Sequence, residues 1–464
     1  MTVRPDRVSR VAASWGGLVV AATAAAARLP VLSMGRLRTF DDGVYGLSVL
    51  AMREGAVPFR DVFSSQGPLF LPVLWLADVV GLRRPWAPRL AMVASGMVLA
   101  IALWRLASRR SAPVPAMLVG VAVAVGGSVF LASGPLQSEG PTMALATAAF
   151  VVADRDDPRW WRVFVAGVLV GLAGSTKNVF AVPAAVAVAA TVWRRRSATA
   201  TIVVAGCAAA TAVAVALPFG VGVVWDQSVR FHLEGRGVPD VAGHVGELMG
   251  GLVRYEPALV GLAVAAVAAA VVRRPARRAD LTVAVAWLAV SVGLVVVLGA
   301  GSGRERYLVA VVPPVVLLMV ALGPSARLVA VVLALLAPVQ LAVSWGLVWG
   351  RHPNETQARL VAFLEELPAG SSALTDVPDL AYAAGRRAPP GVVDTSFAVV
   401  EAGRLTAADL AEVLVDPEVC AVVLGSGRLA RVEGLDDVLT DVGMMPGEVF
   451  DGVWIARRPS CGER

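Results

Sequence analysis

Charged residues are scarce in this chain of 464 residues, in which only 16% are Asp, Glu, Lys or Arg and 57% are hydrophobic. A soluble globular domain would have about a quarter of its residues charged. The mean hydropathy of +0.70 agrees with this scarcity, and the chain is therefore predicted to be an integral membrane protein. Its formal charge of +6 does not indicate nucleic-acid binding, because the basic residues form short clusters between apolar runs.

Lysine and cysteine are almost absent as well. Lys177 is the single lysine among 41 basic residues, so the abundance of arginine by itself says little about function. The three cysteines have no zinc-binding spacing. Cys207 lies in an apolar run, where cysteine behaves as a small hydrophobic residue. Cys420 and Cys461 pair only if the C-terminal fold brings them together.

Long apolar runs fill the first 350 residues. A membrane-spanning helix needs about 20 apolar residues, and about eleven runs approach that length. They are residues 11–34, 89–107, 114–133, 138–154, 161–177, 178–193, 198–220, 257–272, 280–300, 306–322 and 326–349. The first run follows arginines, as in a signal peptide, but it is long for one and further apolar runs follow it. We therefore predict an uncleaved anchor.

Arginine clusters between these runs predict the orientation, because cytoplasmic loops carry an excess of Lys and Arg. With a cytoplasmic N-terminus, four clusters fall inside. They are Arg105, Arg109 and Arg110; Arg155, Arg159 and Arg162; Arg194, Arg195 and Arg196; and Arg273, Arg274, Arg277 and Arg278. This assignment requires that Leu69–Leu82 does not span. That run contains Pro72 and Asp78, and we predict that it lies along or dips into the outer surface.

In this orientation the polar residues suited to chemistry all fall on the outer face. They are Asp41, Asp42, Arg60 and Asp61 in a long first outer loop (residues 35–88), and Glu139, Lys177, Arg304 and Arg306 in later outer segments. Carboxylates beside arginines at a membrane face suit chemistry on a polar substrate carried by an anionic lipid. This pattern indicates a membrane-embedded glycosyl transfer enzyme rather than a simple anchor.

The composition becomes polar after Trp349. Helices are predicted over residues 358–367 and 406–415, the second capped by Thr406. Strands are predicted over 372–374, 392–394, 420–424 and 452–456. Strands alternating with helices predict a small α/β domain. The predicted fold is thus a polytopic α-helical membrane domain (residues 1–350) followed by an α/β domain (351–464), which an odd number of spans places outside the cytoplasm.

Several short motifs occur in the order found in the GT-C superfamily, and the chain resembles that superfamily over about residues 10–345. They are Asp41-Asp42-Gly43, Pro58-Phe59-Arg60-Asp61, Gly67-Pro68-Leu69-Phe70, Ser138-Glu139-Gly140-Pro141, the run from Gly171 to Lys177, and Arg306-Tyr307-Leu308. GT-C enzymes are membrane glycosyltransferases that include protein mannosyltransferases and the aminoarabinose transferase of lipid A. They use sugars linked to polyprenyl or dolichyl phosphate.

The resemblance implies a multi-pass enzyme of the plasma membrane. It would take a hexosyl or pentosyl group from a polyprenyl-phosphate donor and pass it, with inversion, to a hydroxyl of an extracytoplasmic glycan, lipid or protein. The expected partners are this donor, membrane lipid and the acceptor, without nucleic acid. No nucleotide or redox cofactor is expected, whereas the resemblance allows Mg²⁺ or Mn²⁺ held by Asp42 and Glu139.

The carboxylates each have two interpretations. In the superfamily, an aspartate of the first outer loop activates the acceptor or helps to hold a metal, and Asp41 and Asp42 are the candidates here. A base that takes the acceptor proton lowers the barrier; the alternative is that Asp42 caps a helix starting at Gly43. Glu139 precedes Pro141 at a position suited to a helix start, or it is a second catalytic carboxylate that shares the metal.

The basic candidates are assigned to the phosphate of the lipid donor. Lys177 interrupts an apolar stretch, where it either snorkels to the interface or places its charge on the phosphate. Arg304 and Arg306 suit planar, bidentate contact with phosphate. Arg60 either joins them or pairs with Asp61.

A transporter or flippase of lipid-linked sugars is the alternative from another functional class. Transporters place ionisable residues near the membrane midplane and often consist of repeated halves. Here the charges collect at one face and no clear internal repeat is present, which favours the enzyme.

Overall fold

A computed structural model describes residues 7–32, 39–155, 159–234, 240–272, 278–299, 304–349, 354–450 and 452–462. Arg273, Arg274 and Arg277 of the predicted loop clusters lie outside these residues.

Most of the described chain is α-helical. The first helices are α1 Arg7–Arg28, α2 Phe40–Arg53, α3 Phe70–Val80, α4 Arg89–Ser108, α5 Pro113–Ala124, α6 Gly127–Ser133, α7 Glu139–Ala153, α8 Trp160–Thr176, α9 Asn178–Arg195, α10 Ala198–Ala216 and α11 Val221–Trp225. The others are α12 Phe231–Glu234, α13 Val241–Tyr255, α14 Pro257–Val272, α15 Arg278–Leu298, α16 Val312–Leu322, α17 Ala326–Trp349, α18 Glu355–Glu366, α19 Pro378–Ala383, α20 Phe397–Glu401, α21 Ala407–Leu414 and α22 Leu435–Asp441.

Shorter helical turns join some of these helices. A π-helical turn covers Asp226–Arg230. The 3₁₀ segments are Leu29–Leu32, Leu217–Phe219, Glu305–Val311, Pro390–Val392, Leu429–Arg431 and Pro459–Gly462.

The chain divides into two compact units. The first contains Met1–Val31, Ala91–Val215 and Val238–Gly350, and the second contains Leu32–Leu90, Ala216–Gly237 and Arg351–Arg464.

Apolar helices long enough to cross a membrane dominate the first 350 residues. Within the described part of the chain, six helical stretches pass by length and hydropathy: Ser14–Leu32, Arg89–Ser108, Ala198–Phe219, Asp280–Leu298, Glu305–Leu322 and Arg327–Leu347. Two broken pairs, α5–α6 bent by 54° and α13–α14 bent by 102°, raise this number to eight if each pair is one span. The chain is therefore a multi-pass membrane protein.

The two broken helix pairs belong to the first unit, and their free carbonyl oxygens are satisfied by one helix. Pro257 lacks an N–H group and begins α14 directly after the second break. Gln340 Nε2 of α17 donates to Tyr255 O (2.8 Å), and Ser344 Oγ donates to Val125 O (2.5 Å). Broken helices persist in an apolar setting only where such partners replace the lost backbone hydrogen bonds.

The second unit contains a four-stranded sheet in the order β1-β2-β4-β3. Its strands are β1 Ser372–Thr375, β2 Val419–Leu424, β3 Met445–Phe450 and β4 Val453–Arg457. β1 and β2 are parallel with Leu374 opposite Val422, whereas β4 is antiparallel to both β2 and β3. The core beneath the sheet includes the fully buried Leu374, Leu410 and Val422.

After residue 354, most of the observed helices and strands agree with those predicted from the sequence. Thr406 caps α21 through a capping box with Asp409, as predicted. The strand predicted over residues 392–394 is wrong, because Pro390 and Gly391 set a 3₁₀ turn that ends at Val392. β3 was not predicted.

Helix α2, which carries the predicted acidic pair, packs closely against α19 within the second unit. A Cβ atom on Gly43 would lie 2.0 Å from the Asp379 nitrogen, and one on Gly46 would lie 2.5 Å from the Tyr382 ring. Gly43 is thus required by the close approach of the α19 backbone, and Gly46 by the close approach of the Tyr382 ring. The neighbouring α3 has only 11 residues, or about 16 Å, which is too short to cross a bilayer of about 30 Å.

The C-terminal cysteines form a disulfide. Cys420 in β2 is joined to Cys461 with a Cα–Cα distance of 5.6 Å, across 41 positions of sequence. Cys207 is a free, half-buried cysteine.

We expect alkylation of the unreduced, denatured protein to modify one cysteine, Cys207, and alkylation after reduction to modify all three. The measurement is the intact mass of protein purified without reductant. Replacing both Cys420 and Cys461 with serine should lower stability by roughly 2–4 kcal/mol, because the bond closes a long loop. Three modified cysteines before reduction would contradict the disulfide.

Candidate active site

One buried carboxylate in the first unit holds two cations. Glu139 has no exposed surface. Its Oε1 atom lies 2.7 Å from Lys177 Nζ and 3.2 Å from Arg306 Nε. Three residues that the sequence analysis selected separately are therefore in contact, and together they carry a net charge of +1.

Each member of this cluster lies at the end of a helical segment. Glu139 is the first residue of α7, which agrees with the predicted helix start. Lys177 separates α8 from α9 in an extended conformation (φ −152°, ψ 107°). Arg306 lies in the 3₁₀ segment that leads into α16. Because helix ends meet at the same level of a helical bundle, residues distant in sequence converge there.

Aromatic rings flank the two cations. The rings of Phe180 and Tyr307 are 5.0 Å apart, and Lys177 Nζ lies 5.1 Å from the Phe180 ring and 5.3 Å from the Tyr307 ring. The Arg306 guanidinium is 5.2 Å from the Tyr307 ring. Such contacts stabilise cations at low water content. Sequence analysis did not assign Phe180 a role, although its position three residues after Lys177 places it in the first turn of α9.

The other two predicted phosphate ligands have different surroundings. Arg304 is exposed, and its Nη1 donates to Leu298 O (2.8 Å). Arg60, in the second unit, donates two hydrogen bonds to Asp61 (2.9 and 2.8 Å). The hydrogen bond from Arg60 and that from the Val57 amide lower the pKa of Asp61 to about 2. The interpretation of Arg60 as a partner of Asp61 is the one that this geometry favours.

Asp42 forms a buried ion pair in the second unit. Its Oδ1 lies 3.1 Å from Arg89 Nη2, and both side chains are almost fully buried. The predicted helix start at Gly43 is wrong, because α2 begins at Phe40 with Thr39 as its N-cap. Asp42 completes the capping box from the N3 position, since its carboxylate accepts from the Thr39 backbone N–H (3.2 Å). Asp42 therefore stabilises the start of α2, but as the N3 partner of Thr39 rather than as the predicted cap.

Asp41, by contrast, is half-buried. Asp394 lies near it, and burial raises the pKa of the Asp394 carboxyl, with a further increase from the charge of Asp41. The guanidinium of Arg428 lies 4.1 Å from the ring of Phe40 and lowers the pKa of Asp394. Sequence analysis missed Asp394 because it assigned that segment to a strand.

The surroundings of Asp42 and Glu139, the predicted metal ligands, are not those of a metal site. Magnesium and manganese require several oxygen ligands. The described part of the chain has no group of three His, Cys, Asp or Glu side chains suited to a metal ion. Glu139 faces two cations and Asp42 pairs with a third. These carboxylates do not fit a divalent metal.

Comparison with known proteins gives both a family and a fold. The sequence model described as Glycosyltransferase family 87 matches residues 65–299, just over half of the chain, and the matched part includes Glu139 and Lys177. Comparison of the sequence with curated proteins gives no match.

Two solved proteins share the fold. ArnT from Cupriavidus metallidurans, in a crystal structure bound to undecaprenyl phosphate, has a TM-score of 0.64 at 14% identity and covers 96% of this chain and 98% of its own. The archaeal oligosaccharyltransferase AglB from Archaeoglobus fulgidus, in complex with an inhibitory peptide and a dolichol-phosphate, has a TM-score of 0.54 at 13% identity, with coverage of 92% and 72%. The predicted resemblance to GT-C glycosyltransferases is confirmed.

We expect Glu139→Gln to destabilise the protein by about 3–5 kcal/mol, because it removes a buried anion that two half-buried cations share. Lys177→Met should also destabilise, but the double variant should be more stable than the sum of the single effects predicts, by about 0.5–3 kcal/mol. Thermal unfolding of all four proteins in one detergent measures this coupling. Strictly additive effects would show that the two side chains do not interact.

Proposed function

The chain belongs to Glycosyltransferase family 87, and on this basis we propose that it transfers a sugar from a polyprenyl-phosphate donor to a hydroxyl of an extracytoplasmic acceptor. The observation that supports this function best is the cluster of Lys177, Glu139 and Arg306. Two cations share one carboxylate oxygen there. The excess positive charge suits a phosphate group that gains negative charge as it leaves.

Lys177 and Arg306 are proposed to bind the donor phosphate. Charge-assisted hydrogen bonds of this kind are about twice as strong as neutral ones. The proposal is consistent with the solved structures of similar fold, since ArnT is bound to undecaprenyl phosphate and AglB is in complex with a dolichol-phosphate. Arg304 is proposed as a secondary contact, because its side chain is exposed and does not touch Glu139.

Both oxygen atoms of the Glu139 carboxylate are proposed to contribute to donor binding. Oε1 holds both cations in position. Oε2 is buried and has no hydrogen-bond partner among the described residues. A buried oxygen left without a donor costs free energy, and a hydroxyl of the bound donor sugar would supply that donor.

Asp41 is proposed as the base, in preference to Asp42. Asp42 is committed to Arg89 and to the start of α2, whereas Asp41 is half-buried. In the reaction, the acceptor hydroxyl gives its proton to Asp41 while its oxygen attacks the anomeric carbon. The bond from that carbon to the phosphate oxygen breaks, and polyprenyl phosphate leaves with the electron pair. A single displacement of this type inverts the anomeric centre.

The proposed topology has eleven spans, a cytoplasmic N-terminus and an extracytoplasmic segment 351–464 in a plasma membrane. The Cys420–Cys461 disulfide supports this orientation, because disulfides persist in oxidising compartments and are rare in the cytosol. The division into a transferase domain (1–350) and a separate C-terminal domain (351–464) stays a prediction.

We expect the purified protein in lipid to release free polyprenyl phosphate from one member of a panel of polyprenyl-phosphate hexoses and pentoses when an envelope acceptor is present. Asp41→Asn should lower the rate about 10²–10⁴-fold, the usual contribution of a general base, and leave the unfolding temperature nearly unchanged. Asp42→Asn should instead lower the unfolding temperature, because it removes the partner of buried Arg89. Asp61→Asn is the matched control, since Asp61 is in the same loop and pairs with Arg60.

Full activity in Asp41→Asn would exclude Asp41 as the base. Absence of release from every donor, with folded protein and acceptor present, would favour transport of a lipid-linked sugar over transfer.

A further inference from the structure

A second polar site lies at the far ends of the helices that form the Glu139 cluster. Glu139 begins α7 and Asp154 follows its last residue; Lys177 precedes α9, and Arg194 and Arg195 end it. Helices of 15 and 18 residues are about 22 and 27 Å long. The second site is therefore separated from the candidate active site by the length of a span.

A cavity of about 330 Å³ opens at this second site. Its polar wall consists of Asp154, Arg194, Arg195 and Asp280, together with Thr191. Phe150, Val283 and Leu317 complete the lining, although their side chains are almost fully buried. The groups that a ligand in this cavity can reach are therefore mainly the polar ones.

Buried ion pairs hold the polar wall in place. Asp154 lies 2.7 Å from Arg110 and 2.8 Å from Arg195, and its side chain is 2% exposed. Asp280 accepts from Arg110 (2.9 Å). Arg109 also lies within 3.8 Å of Asp154. Both carboxylates are thus neutralised by arginines, so they do not repel an anion that approaches Arg194.

Thr191 is a polar residue of the cavity lining whose hydroxyl could bind a ligand. The residue is 3% exposed and lines the cavity, yet its hydroxyl has no hydrogen-bond partner among the described residues. Leaving a buried hydroxyl unsatisfied costs about 1–3 kcal/mol. Thr191 lies three and four positions before Arg194 and Arg195, so all three side chains share one face of α9.

Exposed tryptophans place this end of the helices at a membrane surface. Trp160 and Trp161 begin α8, and Trp193 lies beside Arg194; their exposed fractions are 58%, 52% and 62%. Tryptophan is enriched at membrane–water interfaces. Basic cavities between helices at the cytoplasmic interface bind the headgroups of anionic lipids.

We propose that this cavity binds the phosphate of an anionic phospholipid from the leaflet opposite the candidate active site. The phosphate accepts hydrogen bonds from Thr191 Oγ1 and from the guanidinium of Arg194, and the acyl chains lie in the bilayer beside the exposed Trp193. The site is separate from donor binding, and the proposal does not depend on the function proposed above.

The test counts lipids that remain bound to the full-length protein by native mass spectrometry. The protein is equilibrated with micelles that contain equal amounts of phosphatidylglycerol and phosphatidylcholine. We expect preferential retention of phosphatidylglycerol by the wild type. Thr191→Val and Arg194→Gln should each reduce this retention about tenfold, as expected for the loss of a charge-assisted hydrogen bond. Arg105→Gln is the matched control, because Arg105 is also an exposed arginine in the last turn of its helix, α4.

Three outcomes would overturn the proposal. The first is equal retention of the two lipids by the wild type, and the second is equal retention of phosphatidylglycerol by Thr191→Val, Arg194→Gln and the control. The third comes from a parallel titration with inorganic phosphate: if millimolar phosphate displaces the lipid completely without any effect of acyl chain length, the site binds free phosphate rather than a lipid. Sugar transfer is not the readout, so a failure here is distinct from a failure of the proposed function.

Discussion

The candidate active site depends on one carboxylate that is shared by two cations. Glu139, Lys177 and Arg306 come from three separate parts of the chain, and the 2.7 and 3.2 Å contacts join them. Burying a charge costs several kcal/mol, and the Glu139 carboxylate offsets part of that cost for both cations. The same arrangement leaves an excess positive charge. A site that is stable without its ligand and still attracts an anion is what a lipid-phosphate enzyme needs.

In α7 and α9, the charged residues lie at the helix ends, and the residues between them are uncharged. α7 and α9 each have a member of the Glu139 cluster at one end and a charged residue of the second cavity at the other. Charge near the centre of a span is costly, whereas helix ends lie at interfaces where charge is tolerated. The two broken helix pairs depart from this pattern, and Gln340 and Ser344 provide the hydrogen bonds that make the departure possible.

Sequence reasoning identified Glu139, Lys177 and Arg306 individually, because ionisable residues beside apolar runs are conspicuous. It did not predict that they pair with one another, since hydropathy gives the length of a span but not which ends meet. It also misplaced the start of α2, where the short side chain of Thr39 rather than Asp42 is the cap. Neither Thr191 nor Asp394 was predicted from the sequence. The hydroxyl of Thr191 and the carboxyl of Asp394 stand out only through their burial and through neighbours distant in sequence.

The central claim is that Lys177 and Arg306 bind the phosphate of a polyprenyl lipid, and its most direct test is the affinity for polyprenyl phosphate itself. The measurement is equilibrium binding to wild type, Lys177→Met and Arg60→Gln in the same detergent. We expect Lys177→Met to weaken binding at least about tenfold, the effect of losing one charged hydrogen bond, and Arg60→Gln to leave it unchanged. Unchanged affinity in a folded Lys177→Met protein would contradict the claim.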